Sequence, residues 1–268
     1  VAGGQSTVFL KFGWVSRCYY WMIDDIQIIE TPQNLIELED VVIGGYWNDY
    51  LNYTGAGANS IIGLDYTITP VSQLGNHPYA IEGTLRNLGA NDQLCVLKYD
   101  VTGTNIYSGS SSATQVLAYS VVNTIDSVIL SASPLSPSLG TYNIAIWGEA
   151  DSMGSIVVVT DTTYKNIEIS DYIYGKDLNN PSTNSSIIGG PNDEWHYTTR
   201  YEMYANEQLY SIRAYIGSES IPGAIIKGVI YEVDTTATSD VSLLYSSDQY
   251  VITAQDLGAW VNIPVTSN

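Results

Sequence analysis

The chain has 268 residues, which is enough for two or three modules with separate hydrophobic cores. Its 9 basic and 28 acidic side chains give a formal charge of −19. A field of that sign repels phosphate backbones and anionic lipid, so we expect no nucleic-acid partner. The sequence has no apolar run near the roughly 20 residues that a membrane helix needs, so we also expect no membrane insertion.

The first 31 residues predict two strands. "STVFLKFGW" alternates Val8, Leu10 and Phe12 with the residues between them, and "CYYWMIDDIQIIETP" ends at Pro32. Proline cannot donate to a strand ladder, so it closes the segment. Two strands do not make a domain, so we interpret residues 1–31 as the terminal strands of a truncated β-domain and the chain as part of a longer polypeptide.

Residues 35–155 predict an antiparallel β-sandwich. Short strands such as "YAIEGTLRNLG" and "LCVLKYDV" recur at intervals of about 8 to 12 residues with turn residues between them. Gly89 and Asn91 are expected to supply the positive φ of one tight connection. Gly140 and Thr141 open the last strand of this unit.

Residues 156–268 predict a second β-sandwich or jelly roll, which we expect to be incomplete. Its opening segment "IEISDYIYGK" echoes "IELEDVVIGG" at the apolar positions, which indicates either a repeated module or simply two sandwich openings. No stretch has a convincing helical period. The fold class is therefore predicted to be all-β, with tandem antiparallel β-sandwich modules.

These stretches resemble modules of large bacterial surface proteins that are exported by the type IX system. "STVFLKFGWVSRCYYWMIDDIQIIE" resembles the C-terminal strands of the MAM-like jelly-roll family called choice-of-anchor J. "YAIEGTLRNLGANDQLCVLKYDV" through "SLGTYNIAIWGEAD" is similar to a cell-adhesion-related Ig-like bacterial domain, and the C-terminal part to a further jelly-roll module. The resemblance implies an extracellular or cell-surface location, with other domains of the same polypeptide as partners.

Adjacent carboxylates raise the question of a metal site. Asp24 and Asp25 point to opposite faces of a strand, so they cannot converge as an acid/base pair. The one that points inward is a candidate ligand for Ca²⁺, which also needs loop oxygens. The alternative is a hydrogen-bonded carboxylate that fixes the strand end. No other cofactor is indicated.

The remaining polar residues do not predict an enzyme. Glu37 and Glu39 share a strand face about 7 Å apart, but their clean alternation favours a solvated face. His77 and His196 lack the spacing of metalloprotease or hydrolase motifs. The pairing of Cys18 with Cys95 is left open, because a bridge requires a proximity that spacing cannot give.

Aromatic residues in two polar connections are the candidate ligand-binding residues. Flat rings in loops stack on sugars or anchor a protein partner, whereas the alternative is that they fill the ends of a sandwich. The candidates are Tyr46, Trp47, Tyr50 and the neighbouring Tyr53 in the first connection, and Trp195, Tyr197 and the intervening His196 in the second.

The predicted function is that of a non-catalytic structural or adhesive module of a secreted or cell-surface bacterial protein, with surface glycans or proteins as the contacts of its loops. One alternative is an accessory region of an extracellular hydrolase that binds carbohydrate or protein. Another is a subunit of a self-assembling extracellular filament, completed by strands from another copy.

Overall fold

The computed structural model describes residues 30–45, 65–75, 78–118, 127–152, 154–177, 198–233 and 241–265. These residues form β-sheets that are antiparallel except for one short parallel pair, with a single short helix, so the predicted all-β sandwich fold is confirmed. Within these ranges no helix is long and apolar enough to cross a membrane. The first predicted module, residues 1–31, lies outside the described residues except for its last two positions.

The first unit is a sandwich of two sheets. One sheet has three strands in the order β1-β3-β7, and the other has seven, with the path β2-β10-β8-β4-β5 and with β6 and β9 paired to β4 and β8. The strands are β1 (Ile36–Ile43), β2 (Ile68–Pro70), β3 (Ile81–Asn87), β4 (Gln93–Gly103), β5 (Tyr107–Ser110), β6 (Thr114–Val116), β7 (Ser127–Ser131), β8 (Gly140–Ser152), β9 (Ser155–Val159) and β10 (Thr163–Ser170). The helix α1 (Val71–Leu74) follows β2.

The core of the sandwich lies between these two sheets. Alternate residues of β4 and β8 point into it, among them Leu97, Ile144 and Ile146, all of which are fully buried. From the opposite sheet, Leu85 is so close that a Cβ on Gly148 would lie 2.4 Å from its Cδ2. The period-two alternation in the sequence therefore reports the inward and outward faces of these strands.

The seven-stranded sheet extends past residue 155. β9 pairs with the end of β8, and β10 pairs antiparallel with its beginning, from Thr163↔Ile146 to Ile169↔Gly140. The boundary predicted between residues 155 and 156 falls inside this sheet. The two echoing segments, 36–45 and 167–176, likewise belong to the same sandwich, so the second one does not open a new unit.

The connection at residues 88–92 is shaped by contact rather than by a positive φ. Gly89 does not have positive φ, so the prediction for Gly89 is wrong. A Cβ on Gly89 would lie 2.8 Å from the backbone nitrogen of Leu35, and this close approach excludes a side chain. The buried amide of Asn87 accepts a hydrogen bond from the Gly89 N–H and donates to the carbonyl of Asn91.

The C-terminal unit, residues 210–265, consists of three two-stranded antiparallel sheets in the described part of the chain. They pair β11 (Ser211–Ile216) with β16 (Ala259–Pro264), β12 (Ile225–Ile226) with β15 (Tyr250–Val251), and β13 (Val229–Val233) with β14 (Val241–Ser246). Its small core contains Ile216, Ile252 and Val261. On the outer face of β11 and β16, Arg213 lies 4.8 Å from the centre of the Trp260 ring, which also meets Tyr215 edge-on.

Truncation of a side chain between the two sheets should test this core. Ile144→Ala removes fully buried atoms and leaves a cavity, so we expect a loss of about 2–5 kcal/mol in the free energy of unfolding. Ile106→Ala is the matched control, because Ile106 is 82% exposed and its loss should cost under about 0.5 kcal/mol. Urea unfolding measures both. Equal effects of the two substitutions would contradict the assigned core.

Candidate functional site

The residues predicted to bind ligands lie outside the described residues. This applies to Asp24 and Asp25, and to the loop aromatics Tyr46, Trp47, Tyr50, Trp195 and Tyr197. The calcium and aromatic-contact hypotheses therefore stay predictions. Among the residues that the structure does describe, no group of three or more His, Cys, Asp or Glu side chains is placed to hold a metal ion.

The most concentrated chemistry in the described residues is a cluster that we call the tyrosine–lysine junction, made of Tyr66, Tyr174, Lys176 and Tyr201. Tyr66 comes just before β2, and Tyr174 and Lys176 follow β10. The chain turns back after β10, and Gly175 forms an antiparallel bridge with Ile68, which brings Tyr174 and Lys176 beside Tyr66. Tyr201 belongs to residues 198–210, which we call the leading segment because they lead into the C-terminal unit.

Three rings of the junction pack against one another. Tyr66 and Tyr174 stack with their centroids 5.1 Å apart and their planes at 27°. Tyr201 lies 5.1 Å from Tyr174 and 6.2 Å from Tyr66, tilted against the first and edge-on to the second. Aromatic pairs in such arrangements contribute about 0.5–1.5 kcal/mol each beyond the area they bury. The leading segment is therefore attached by its own side chain.

Lys176 places its ammonium group against these rings. Its Nζ lies 4.1 Å from the centre of the Tyr66 ring and 5.8 Å from that of Tyr201. The pKa of Lys176 is lowered from its ordinary value near 10.5 to about 8, mainly by burial and also by Arg200, against the opposing effects of Glu202 and Asp65. The loss of hydration thus outweighs the attraction of the nearby carboxylates for the charge.

Hydrogen bonds tie the backbone of the leading segment to the sandwich. The Tyr66 hydroxyl accepts from the backbone N–H of Glu202 at 2.8 Å, and the Tyr174 hydroxyl donates to the Glu202 carbonyl at 2.9 Å. One peptide unit at each side of Glu202 is thereby satisfied by a tyrosine from the sandwich. Glu202 also pairs with Arg200 of its own segment.

Gln73 of α1 makes a second attachment. Its Oε1 accepts from the backbone N–H groups of Tyr204 and Ala205 at 2.8 and 3.1 Å, and its Nε2 donates to the Ala205 carbonyl at 3.3 Å. The side chain is only 1% exposed. The buried Gln73 amide thus makes three hydrogen bonds to the backbone of residues 204–205. These bonds hold this part of the chain in place, as pairing with a neighbouring strand would.

Tyr79 forms a hydrogen bond to the backbone of the junction. Its hydroxyl donates to the Tyr66 carbonyl, and full burial raises its pKa well above the ordinary value. Gly44 lies alongside with a φ of +80°, where a Cβ would be 2.6 Å from the Cβ of Tyr66. Only glycine fits there, because both the conformation and the space exclude a side chain.

An open cleft of about 300 Å³ lies near the start of β8 and the end of β10. Its wall includes Glu168, Asp171 and Tyr172, and the Tyr172 ring is 92% exposed. It is open to solvent, and acidic, hydroxyl and aromatic side chains line its wall.

The other described candidates have structural roles. Glu37 and Glu39 are exposed, and Glu39 pairs with Arg86 on the neighbouring strand at 2.9 Å, in keeping with a solvated face. Cys95 is a free, buried thiol, and burial raises its pKa to about 11, which disfavours the nucleophilic thiolate at neutral pH.

The sequence interpretation missed the junction. Its residues lie at positions 66, 174, 176 and 201, and no local spacing connects them. The sequence offered one signal. The echoing segments 36–45 and 167–176 carry glycine at matching positions, Gly44 and Gly175, and both glycines contact the residues around Tyr66 and Ile68.

Comparison with protein-family models and with curated protein sequences finds no match to this chain.

The lowered pKa of Lys176 predicts an unusual dependence of stability on pH. Between about pH 8 and 10.5 the unfolded chain holds a proton that the folded chain has released, so the contribution of Lys176 to stability should increase with pH. Above pH 10 the trend should reverse, because burial raises the pKa of Tyr201 to about 12 and only the unfolded tyrosine then ionises. Thermal unfolding at several pH values measures this.

Lys176→Met supplies the comparison, because it keeps a long apolar stem without the charge. At pH 7 we expect its Tm to exceed that of the native chain by at least about 2 °C, the shift that roughly 1 kcal/mol produces in a domain of this size. The difference should shrink towards pH 10. Lys227→Met, at an exposed lysine, should change neither the Tm at pH 7 nor the Tm at pH 10. A constant difference across this pH range would show that Lys176 is not desolvated.

Gln73→Ala should loosen the leading segment. The substitution leaves the N–H groups of Tyr204 and Ala205 without their acceptor, which costs about 1–3 kcal/mol where these groups stay buried. Amide hydrogen exchange at these two residues should accelerate roughly ten- to hundredfold. Gln255→Ala, at an exposed glutamine, is the control. Unchanged exchange would mean that the tyrosines alone hold the segment.

Proposed function

We propose that this chain is a non-catalytic structural module of a secreted or cell-surface protein, in which the tyrosine–lysine junction transmits orientation and force between consecutive β-units. The observation that carries the proposal is the double attachment of residues 201–205 to the sandwich, by the rings of Tyr66 and Tyr174 and by the amide of Gln73. A stalk needs such attachments, because a free linker would let its units rotate independently.

The length of the connection supports this proposal. Ala205 is held by Gln73, and the carbonyl of Tyr210 accepts from the N–H of Val265 in the C-terminal unit at 2.8 Å. Only residues 206–209 lie between these anchors. So short a segment restricts the relative motion of the units it joins.

The sequence resemblance supports the location and the class of protein. Type IX-exported surface proteins combine jelly-roll and Ig-like modules in the order indicated here, and an acidic chain with few basic residues remains soluble outside the cell. Glycans and proteins are the partners expected for the loop aromatics. The role of accessory region beside an extracellular hydrolase remains the alternative, and sugar binding by Trp47 or Trp195 would favour it.

Distance measurements between spin labels test the proposal. Labels are attached to Ser108→Cys in the sandwich and Ser218→Cys in the C-terminal unit, both exposed positions, in a chain with Cys18→Ser; Cys95 is buried and should not react. We expect a single narrow distance distribution. Combining Gln73→Ala with Tyr201→Ala should broaden it, because both attachments are lost.

Tyr164→Ala is the matched control, because Tyr164 is an exposed tyrosine on β10. It should leave the distribution narrow. A broad distribution in the chain with an intact junction would overturn the proposed role, since the units would then already move independently.

A further inference from the structure

The outer face of β8 and β10 carries aromatic and polar side chains in one row. Ile144 on β8 and Ile167 on β10 are buried in the core, so the side chains next to them in each strand point outward. The row continues into the turn that follows β10. We call it the outer row, and it consists of Trp147, Tyr164, Asn143, Asn166, Glu168 and Tyr172.

The rings of the outer row lie at its two ends. Tyr164 is 66% exposed and lies opposite Ala145, whose methyl group is too small to cover the ring. Trp147 is the diagonal neighbour of Tyr164 across the strand pair, about 7–8 Å away, and its indole N–H donates to Glu149 at 2.8 Å. At the other end, the exposed Tyr172 ring lines the open cleft of about 300 Å³. Rings exposed in this way can stack against a flat apolar face of a ligand.

Hydrogen-bonding groups occupy the middle of the outer row. The Asn143 Nδ2 donates to the Asn166 Oδ1 at 2.9 Å, so the two amides form a pair across the strands. Within the described part of the chain, the Asn143 Oδ1 and the Asn166 Nδ2 have no protein partner, which leaves one acceptor and one donor for a ligand. Glu168, with Thr141 opposite it on β8, adds a carboxylate and a hydroxyl at the wall of the cleft.

The length and charge of the outer row restrict its ligand. β8 advances by about 20 Å from Trp147 to Thr141, since each residue of a strand adds about 3.4 Å, so a ligand that reaches the rings at both ends must be extended. The formal charge of −19 repels an anionic polymer. A protein partner needs a continuous apolar centre, which the polar middle of the row interrupts. A neutral polysaccharide fits, because each sugar unit has an apolar face and a rim of hydroxyls.

We propose that the outer row binds an extended neutral polysaccharide. Sugar units stack on Tyr164 and on Tyr172, and their hydroxyls bond to the amides of Asn143 and Asn166 and to the carboxylate of Glu168. The cleft beside Tyr172 takes one unit of the chain. Binding requires β8, β10 and the turn after β10, whether or not the tyrosine–lysine junction is rigid, so it goes beyond the structural role and does not depend on it.

Native electrophoresis of the full chain, in gels that contain a soluble polysaccharide, tests the binding. The neutral probes are hydroxyethyl cellulose, arabinoxylan and glucomannan, and the anionic probe is polygalacturonate. We expect at least one neutral probe to retard the chain relative to a gel without polysaccharide, and polygalacturonate to have no effect. Retardation by none of the neutral probes, or by polygalacturonate alone, would overturn the proposal.

The double variant Tyr164→Ala with Tyr172→Ala tests the site. We expect its association constant for the retarding polysaccharide to fall at least roughly tenfold. Both rings are exposed, so the Tm of the variant should stay within about 2 °C of that of the native chain. Tyr210→Ala is the matched control, because Tyr210 is 73% exposed in the C-terminal unit, and it should bind as the native chain does. Equal retardation of the double variant and the native chain would contradict the assigned site.

The corresponding phenylalanine variant separates stacking from hydrogen bonding. Tyr164→Phe with Tyr172→Phe keeps both rings, so it should retain most of the affinity that the alanine variant loses. If the phenylalanine variant loses as much affinity as the alanine variant, the rings do not stack on the ligand and the proposal fails. The distance distribution between the two units reports on the junction alone, so this proposal and the proposed function fail independently.

Discussion

The two-sided pairing of β8 is the constraint on which the described structure depends. β8 runs from Gly140 to Ser152 and pairs with β4 along one edge and with β9 and β10 along the other. Its inward residues meet the smaller sheet, so this strand belongs to both the hydrogen-bond ladder and the core. Because β10 is fixed by β8, the residues that follow β10 are fixed as well, and they build the tyrosine–lysine junction.

The junction holds a half-buried lysine against the rings that pack around it. Lys176 loses hydration, as its lowered pKa reports, yet its stem lies among rings that hold the leading segment. Tyrosine suits this position because each ring supplies apolar area and each hydroxyl completes a backbone hydrogen bond. Glu202 receives both of its backbone partners in this way.

The two units differ in how completely they bury their apolar residues. The sandwich encloses a continuous core between sheets of three and seven strands. The C-terminal unit has a core centred on three residues and displays leucines on β14. The contrast follows from size, because a small unit of paired ribbons buries a smaller share of its apolar surface than a larger sandwich does.

The sequence by itself determined the strands. Alternation in "LCVLKYDV" and "TYNIAIWGEAD" places Leu97 and Ile146 on inward faces, because side-chain direction follows backbone periodicity, and β8 begins at Gly140 as expected. Only the tertiary structure decided which strands share a sheet. Residues 155–170 join the first sandwich, and Tyr66, Tyr174 and Tyr201 meet although more than 100 residues separate the first from the others. Pairing between distant strands depends on which edges are free and which surfaces fit, and local periodicity carries no record of either.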